Sequence, residues 1–213
     1  MKVSEIFDSI QGEGIDAGLP TTFLRLAGCN IRCSWCDTAY AQEAKNATDI
    51  SVAGVRSRLS HAKRISITGG EPLLQEQELG QLVDNLRWDM SIEVNTNGTL
   101  VPPKWAGMVS WVVDVKCPSA GSFPCVLSYW ISALFSCGQL KFVVKDTADL
   151  TFVRKTLLSI PYREVNSIVL SPVMQGSSFD KELAKALVGL CMEYDCRLSL
   201  QLHKLIWGDV RGV

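Results

Sequence analysis

Three cysteines lie within eight residues of this chain, in the order Cys29-Asn-Ile-Arg-Cys33-Ser-Trp-Cys36. A loop with this spacing can bring three thiolates to one iron–sulfur cluster, and thiolate is the preferred ligand of such clusters. The usual cluster takes four cysteines, but the next one along the chain is Cys117. Because three cysteines leave one iron of a 4Fe-4S cluster without a protein ligand, the spacing predicts a cluster that can bind a substrate or cofactor.

A zinc site is the alternative interpretation of these cysteines, since Cys33-x2-Cys36 could form half of one. The two histidines of the chain are too far apart in the sequence to complete a zinc finger, but Cys191 and Cys196 could supply a second pair of ligands. The spacing alone leaves both interpretations open, and the rest of the chain favours the cluster.

The composition predicts one domain, residues 1–213, that is large enough to bury a substantial core. The formal net charge is -1 and no block of Lys or Arg occurs, so we expect no direct binding to nucleic acid. No apolar run approaches the length of a membrane span and no apolar leader opens the chain, so we expect a cytoplasmic protein without membrane contact. In a reducing compartment the remaining cysteines should be mostly small buried hydrophobic residues: Cys117, Cys125, Cys137, Cys191 and Cys196.

Short β-branched runs alternate with amphipathic helices, a pattern typical of a parallel sheet with right-handed crossovers. The predicted strands are Thr21–Leu26, Arg64–Thr68, Ser91–Thr96, Ser110–Val115, Leu140–Lys145, Ser167–Pro172 and Arg197–His203. The predicted helices lie near Val52–Ala62, Glu76–Trp88, Thr147–Ser159 and Phe179–Tyr194, and Pro118–Ser136 is predicted to be a loop or lid. Six or so βα units are too few for a closed eight-stranded barrel. We therefore predict an α/β fold, an open partial (β/α)6-type barrel with shortened helices and an extra C-terminal strand.

A second motif, Gly69-Gly70-Glu71-Pro72, directly follows the predicted strand Arg64–Thr68. Taken alone it is typical of an ordinary strand-to-helix turn. It comes one βα unit after the cysteine loop, however, and that loop also follows a strand. Because ligand sites of parallel α/β folds gather at the carboxyl ends of the strands, we expect both motifs at one end of the sheet.

The cysteine spacing followed by Gly-Gly-Glu-Pro resembles the radical S-adenosylmethionine (SAM) enzymes, which implies the radical SAM barrel. Further segments resemble the 7-carboxy-7-deazaguanine synthase family, and together they extend from residue 5 to the last residue. These segments are Glu5–Gly14 (EIFDSIQGEG), Phe23–Asn30 (FLRLAGCN), Cys36-Asp-Thr38, Asp114–Ser119 (DVKCPS), Gln201–Gly208 (QLHKLIWG) and Arg211-Gly-Val213.

The resemblance implies that Cys29, Cys33 and Cys36 bind a 4Fe-4S cluster and that SAM binds the open iron. Reductive cleavage of SAM then gives a 5′-deoxyadenosyl radical that abstracts hydrogen from the substrate, and SAM is regenerated. The family usually carries a Gln and an acidic residue where this chain has Ser171 and Met174. The residues implied to contact SAM are Gly70, Asp114, Val115, Lys116, Ser171, Pro172, Val173 and Met174.

The implied lyase reaction converts 6-carboxy-5,6,7,8-tetrahydropterin to 7-carboxy-7-deazaguanine and ammonia, in the queuosine pathway of tRNA modification. Arg25 stands in an otherwise apolar strand and can bind a carboxylate bidentately, although an Arg facing solvent is the alternative. The Thr38 hydroxyl is implied to bind Mg²⁺ beside that carboxylate, and a helix cap is its alternative role. The other implied substrate contacts are Ile10, Gln11, Gly12, Glu13, Thr68 and the C-terminal carboxylate of Val213.

The resemblance also implies a homodimer and a flavodoxin- or ferredoxin-type reductant, with tRNA as the beneficiary of the pathway and not a ligand. Two other functions stay open on the sequence. A glycyl-radical activating enzyme shares the cysteine spacing but takes hydrogen from a partner protein. A zinc- or iron–sulfur-binding module without catalysis is the other.

Overall fold

The computed structural model describes residues 1–134, 138–160 and 167–213, and an open sheet forms the centre of the fold. Within these residues nine strands pair in the order β11-β8-β7-β6-β5-β4-β2-β1-β3. The strands from β2 to β11 in this order are parallel, whereas β1 and β3 add to the sheet in antiparallel fashion. Their bounds are Lys2–Ile10 (β1), Pro20–Leu26 (β2), Thr48–Asp49 (β3), Arg64–Gly69 (β4), Ser91–Thr96 (β5), Ser110–Asp114 (β6), Gly138–Val144 (β7), Ile168–Pro172 (β8) and Arg197–Leu198 (β11), and a separate hairpin pairs Met174–Gln175 (β9) with Ser178–Phe179 (β10).

The α-helices of the described ranges are Val52–Arg58 (α1), Glu76–Leu86 (α2), Leu127–Leu134 (α3), Thr147–Ser159 (α4), Lys181–Tyr194 (α5) and Leu202–Trp207 (α6). Acidic residues cap the two longest of these helices, α4 and α5. Asp146 accepts a hydrogen bond from the backbone N–H of Asp149 in α4, and Asp180 accepts two at the start of α5. None of the helices in these ranges has the length and apolar character that crossing a membrane requires.

Three aromatic side chains at the centre of the core are fully buried: Trp111, Trp130 and Phe142. The ring centroids of Trp111 and Trp130 are 4.9 Å apart. Each indole N–H donates to a backbone carbonyl, of Ala106 at 2.9 Å and of Leu100 at 2.8 Å respectively. Burial of these large rings with their polar atoms satisfied fixes α3 and β6 against each other.

The open α/β sheet agrees with the prediction, and Ser91–Thr96 and Thr147–Ser159 have the predicted bounds. The prediction of a loop over Pro118–Ser136 was wrong, because α3 lies within it and buries Trp130, Ile131 and Leu134; residues 135 and 136 fall outside the described ranges. The abundant serines of this segment concealed its apolar face.

The predicted strand Arg197–His203 was also wrong beyond Leu198. Ser199 still donates its backbone N–H to the carbonyl of Leu170 at 2.9 Å, and the chain then turns into α6. Strand β1 was not predicted, since polar residues interrupt its apolar positions. Cys117 is buried as expected, but Cys125, Cys191 and Cys196 are only half-buried, and Cys137 lies outside the described residues.

Candidate active site

One cavity of about 240 Å³ lies where the parallel strands end, and most of the predicted site residues line it. Val115, Ser171 and Pro172 are the exceptions, because these three residues are buried and do not line the cavity. The predicted residues that do are Ile10, Gln11, Gly12, Glu13, Arg25, Cys29, Cys33, Cys36, Thr38, Thr68, Gly70, Asp114, Lys116, Val173, Met174 and Val213.

The three thiols of the cysteine loop face this cavity together. Burial raises the pKa of Cys29, and it raises the pKa of Cys33 to about 11; the neighbouring thiol of Cys36 acts in the same direction on both. With these raised pKa values the thiols of Cys29 and Cys33 are protonated at neutral pH, so they are poor nucleophiles. They become thiolates when a metal displaces their protons.

The arrangement fits a cluster better than a zinc ion. Among the described residues, no three His, Cys, Asp or Glu side chains converge on one point that could hold a single metal ion. A 4Fe-4S cluster has a different requirement, since each cysteine binds a separate iron. Cys191 and Cys196, the second ligand pair that a zinc site would need, do not line the cavity.

The Gly-Gly-Glu-Pro turn is in direct backbone contact with the cysteine loop. Gly70 donates its N–H to the carbonyl of Leu26 at 3.1 Å, and Glu71 donates to that of Gly28 at 2.8 Å. A Cβ atom at Gly70 would lie 2.1 Å from the Gly28 carbonyl oxygen, and Gly69 has a φ of +140°. Only glycines therefore allow the two motifs to approach this closely.

Glu71 stabilises this turn and does not reach the cavity. Its carboxylate accepts from the backbone N–H of Leu73 at 3.0 Å, the Thr96 hydroxyl at 2.9 Å and the backbone N–H of Asn97 at 2.7 Å. Burial raises the pKa of Glu71, and these hydrogen bonds offset the rise only in part. Asn97 in turn donates to the side chain of Asn30 at 2.9 Å, which links the end of β5 to the cysteine loop.

A buried carboxylate on α4 supports the other side of the cysteine loop. Asp149 accepts from the hydroxyl of Ser119 at 2.5 Å and from its backbone N–H at 2.9 Å. The indole N–H of Trp35 donates to the Ser119 hydroxyl at 3.0 Å, and the Ser34 hydroxyl donates to the Ser119 carbonyl at 2.6 Å. Trp35 and Ser34 are the two residues between Cys33 and Cys36, so this network fixes the position of the loop.

Replacing Ser119 with alanine should make a bound cluster easier to lose. The Ser119→Ala variant lacks the acceptor for Trp35 and removes the Ser119 hydroxyl bond to the buried Asp149 carboxylate, which keeps the backbone N–H groups of Ser119 and Lys145 as donors. A loss of about 1.4 kcal/mol in the stability of the loop corresponds to about a tenfold change in rate. We therefore expect iron transfer to a chelator to be about tenfold faster under anaerobic conditions. Ser132→Ala, at an exposed position of α3, is the matched control. Equal rates of iron transfer in the two variants would contradict this role of Ser119.

Charged side chains form a chain of ion pairs across one wall of the cavity. Lys141 Nζ lies 2.7 Å from Glu13 Oε2 and 3.3 Å from Asp114 Oδ2, and Lys116 Nζ lies 2.9 Å from the same Asp114 oxygen. Burial opposes ionisation of Glu13, but the attraction of Lys141 outweighs it and lowers the pKa of Glu13 to about 2. The two lysines likewise overcome burial and lower the pKa of Asp114.

Asp114 also has one carboxylate oxygen that its ion pairs do not satisfy. Its Oδ1 is buried and has no hydrogen-bond partner within the described part of the chain, although the residue lines the cavity. A buried acceptor of this kind is costly unless a donor reaches it. The ribose hydroxyls of SAM are suitable donors, so this observation fits the predicted SAM contact.

The structure excludes a solvent-facing position for Arg25 and a side-chain helix cap for Thr38. The Arg25 side chain is only 14% exposed, and its Nε donates to Glu5 Oε1 at 2.7 Å, so this residue does not face solvent. Thr38 precedes the short 3-10 helix Ala39–Ala41 but makes no capping hydrogen bond with its side chain. Both residues line the cavity, and the Thr38 hydroxyl lies 3.7 Å from the Cys36 sulfur.

Several polar residues of the cavity were not predicted as site residues. Lys141 interrupts the apolar run of β7 as Arg25 interrupts β2, and the same signal would have identified it. His203 packs against Gly12, where a Cβ atom would lie 1.9 Å from the histidine Nδ1. The prediction of a strand through Arg197–His203 concealed the contribution of α6. The unpredicted polar residues of the lining include Gln139, Lys141, Gln201, His203 and Lys204.

An open α/β sheet with three thiols in one cavity at its carboxyl end defines an iron–sulfur enzyme of the radical SAM type. Residues 10–100 match the family model described as a 4Fe-4S single cluster domain. The chain is 37% identical to 7-carboxy-7-deazaguanine synthase of Methanospirillum hungatei, over 97% of this chain and 85% of that protein. It is 36% identical to the synthase of Thermoplasma acidophilum over the full length of both. The chain therefore belongs to the 7-carboxy-7-deazaguanine synthase family.

The fold agrees with this family. The crystal structure of QueE from Escherichia coli matches with a TM-score of 0.77 and 24% sequence identity, covering 95% of this chain and 94% of that one. At this identity the match supports the fold alone, and the relatives above carry the family assignment. The resemblance inferred from the motifs is thus confirmed.

Proposed function

We propose that this chain is a radical SAM lyase that converts 6-carboxy-5,6,7,8-tetrahydropterin to 7-carboxy-7-deazaguanine and ammonia in 7-deazapurine biosynthesis. The observation that carries the proposal is one cavity shared by three thiols, the buried cation of Arg25 and the polar residues that follow β1. When bound, the 4Fe-4S cluster and SAM supply the 5′-deoxyadenosyl radical for hydrogen abstraction, with SAM regenerated. Family membership supports the same reaction.

The cofactors would be held by residues from four strand ends. Cys29, Cys33 and Cys36 would bind the cluster. Asp114 would accept a hydrogen bond from SAM through its unpaired Oδ1, and Gly70 would allow close backbone approach. Lys116, Val173 and Met174 line the same cavity and complete this set. Val115, Ser171 and Pro172 would contribute backbone groups at most, because they do not line the cavity.

The pterin would be oriented by the segment that follows β1. Glu13 stays ionised at neutral pH because its pKa is about 2, so it can accept hydrogen bonds from the amino and ring N–H groups of a pterin. Ile10, Gln11 and Gly12 would offer backbone and amide groups beside it, and Thr68 and Val213 would close the site.

Arg25 would bind the substrate carboxylate, and the Arg25→Met variant tests this directly. We expect KM for the carboxylated pterin to rise about 100-fold, since a buried charge-assisted pair is worth several kcal/mol. Inhibition by a tetrahydropterin without the carboxylate should not change. The control is Arg58→Met, whose side chain is exposed on α1. Unchanged KM in Arg25→Met would contradict the substrate assignment, and 5′-deoxyadenosine without pterin product would favour a glycyl-radical activating enzyme.

The Thr38 hydroxyl would bind Mg²⁺ beside the substrate carboxylate, with substrate oxygens and water completing the shell. Replacement of Thr38 with alanine removes this ligand. We expect the Mg²⁺ concentration for half-maximal activity to rise at least tenfold, as losses of metal-site groups typically do. Thr48→Ala, at an exposed position of β3, is the control. Equal Mg²⁺ dependence in Thr38→Ala and the unmodified enzyme would remove this residue from the metal site.

The proposal includes a single domain over residues 1–213, arranged as a partial (β/α)6 radical SAM barrel. It also includes a cytoplasmic homodimer that takes electrons from a flavodoxin- or ferredoxin-type reductant. These points rest on the resemblance of the sequence motifs, and the small-molecule substrate is consistent with a cavity of about 240 Å³.

A further inference from the structure

Arg25 and the C-terminal tail, residues 208–213, bind the same carboxylate. Glu5 Oε1 on β1 accepts from Arg25 Nε at 2.7 Å, and Glu5 Oε2 accepts from Arg211 Nε at 2.8 Å. The Tyr40 hydroxyl donates to Glu5 Oε1 at 2.7 Å. The Glu5 and Arg25 side chains are each 14% exposed, whereas the Arg211 side chain is 53% exposed, so a shielded carboxylate accepts from three donors of which one is open to solvent.

Arg211 also contacts the segment that follows the cysteine loop. Its Cζ lies 3.9 Å from the centroid of the Tyr40 ring, within the range of a cation–π interaction. Tyr40 comes two residues after Thr38, so the tail is fixed to both β1 and the loop that carries the proposed magnesium ligand. A second cavity of about 120 Å³ is lined by Arg25, Thr38, Tyr40 and the tail.

Few other contacts hold the end of the chain. Asp209 accepts from the backbone N–H of Gly176 at 3.0 Å. Within the described ranges, the bond from Arg211 to Glu5 is the one side-chain hydrogen bond made by residues 210–213. Val213 nevertheless lines both cavities. Without Glu5, the shielded guanidinium group of Arg25 would lose the anion that compensates it, and Arg211 would lose its ion pair.

We propose that Glu5 is a positioning residue that fastens the C-terminal tail at the substrate end of the cavity and orients Arg25 with the same carboxylate. Placement of the tail and binding of an anionic substrate are therefore coupled. The kinetic part of this inference rests on the proposed function, whereas the fastening of the tail does not.

The Glu5→Gln variant keeps the shape of the side chain and removes its charge. We expect carboxypeptidase to release Val213 from the anaerobically loaded enzyme about tenfold faster, as followed by intact mass, because charge-assisted hydrogen bonds are lost. KM for the carboxylated pterin should rise about tenfold as well. The matched control is Glu193→Gln, which breaks the exposed pair of Glu193 with Arg154 and should change neither quantity. Unchanged release of Val213 in Glu5→Gln would overturn the proposal.

A second variant separates the two roles and remains informative if Glu5→Gln does not fold. Arg211→Gln frees the tail but leaves Arg25 bound to Glu5, so it should release Val213 faster with a smaller rise in KM than Glu5→Gln. The double variant should release Val213 no faster than Arg211→Gln alone, because Glu5 holds the tail through Arg211. Equal KM values in Glu5→Gln and Arg211→Gln would overturn the orienting role, and additive release rates would overturn the fastening role. Faster release in a protein that makes no deazaguanine would support the fastening and reject the proposed function.

Discussion

Replacing Cys33 with serine is expected to abolish cluster binding and turnover together. The site offers three thiols from one loop, and loss of one leaves a cluster with two protein ligands. A serine hydroxyl is a poor substitute, because iron–sulfur clusters select soft thiolate ligands. After anaerobic reconstitution, the Cys33→Ser variant should lack the visible charge-transfer absorbance and the EPR signal of the reduced cluster.

Cys191→Ser is the matched control for this loss. Cys191 is half-buried at the end of α5 and does not line the cavity, so the variant should retain the cluster and its activity. Loss of metal in both variants would instead indicate a site that joins the two cysteine pairs, as the zinc interpretation requires. Retention of the cluster in Cys33→Ser would contradict the site described above.

Replacing Lys141 with methionine is expected to be the most destabilising change in the cavity wall. Lys141 lies between Glu13 and Asp114, and all three side chains are less than 20% exposed. Its removal leaves two carboxylates with only Lys116 to compensate them. Breaking a buried pair in this way costs about 3–5 kcal/mol, so the urea midpoint of Lys141→Met should fall sharply.

The dependence of stability on acid pH gives a second, independent test of the pair between Glu13 and Lys141. Burial raises the pKa of Glu13, but Lys141 outweighs it and leaves the folded-state pKa at about 2, below the usual 4.5. A lowered pKa stabilises the fold above pH 4.5, and that contribution is lost as the pH falls toward 2. In Lys141→Met this part of the acid dependence should flatten. The control Lys185→Met, at an exposed ion pair of α5, should change neither the midpoint nor the pH dependence, and equal losses in both variants would contradict the account.

The parallel strands were predictable because burial on both faces leaves nearly continuous apolar runs. Trp111-Val-Val in β6 and Phe142-Val-Val in β7 are runs of this kind, and Thr147–Ser159 benefits from an acidic cap at Asp146. Strand β1 lacks such a run, because it pairs in antiparallel fashion and exposes polar side chains. Helix α3 is anchored by Trp130, whose partner Trp111 comes from another element, so its sequence alone gave no clear signal.

The candidate site likewise has features that the sequence predicts and features that it does not. The ligating cysteines and the Gly-Gly-Glu-Pro turn are short motifs whose members are adjacent in the sequence, and they were predictable. The groups that support them are not adjacent. Glu13 and Lys141 are 128 positions apart, and Trp35 and Ser119 are 84 apart. Such pairs depend on the register of distant strands, which local sequence patterns do not determine.

A single reaction in which SAM and product are both followed tests whether the enzyme is a lyase that regenerates SAM. Anaerobically reconstituted protein would be incubated with a reductant, Mg²⁺, SAM and 6-carboxy-5,6,7,8-tetrahydropterin, and all species would be measured by mass. We expect many molecules of 7-carboxy-7-deazaguanine for each molecule of SAM, with SAM undepleted. Release of methionine and 5′-deoxyadenosine without any deazaguanine would contradict it.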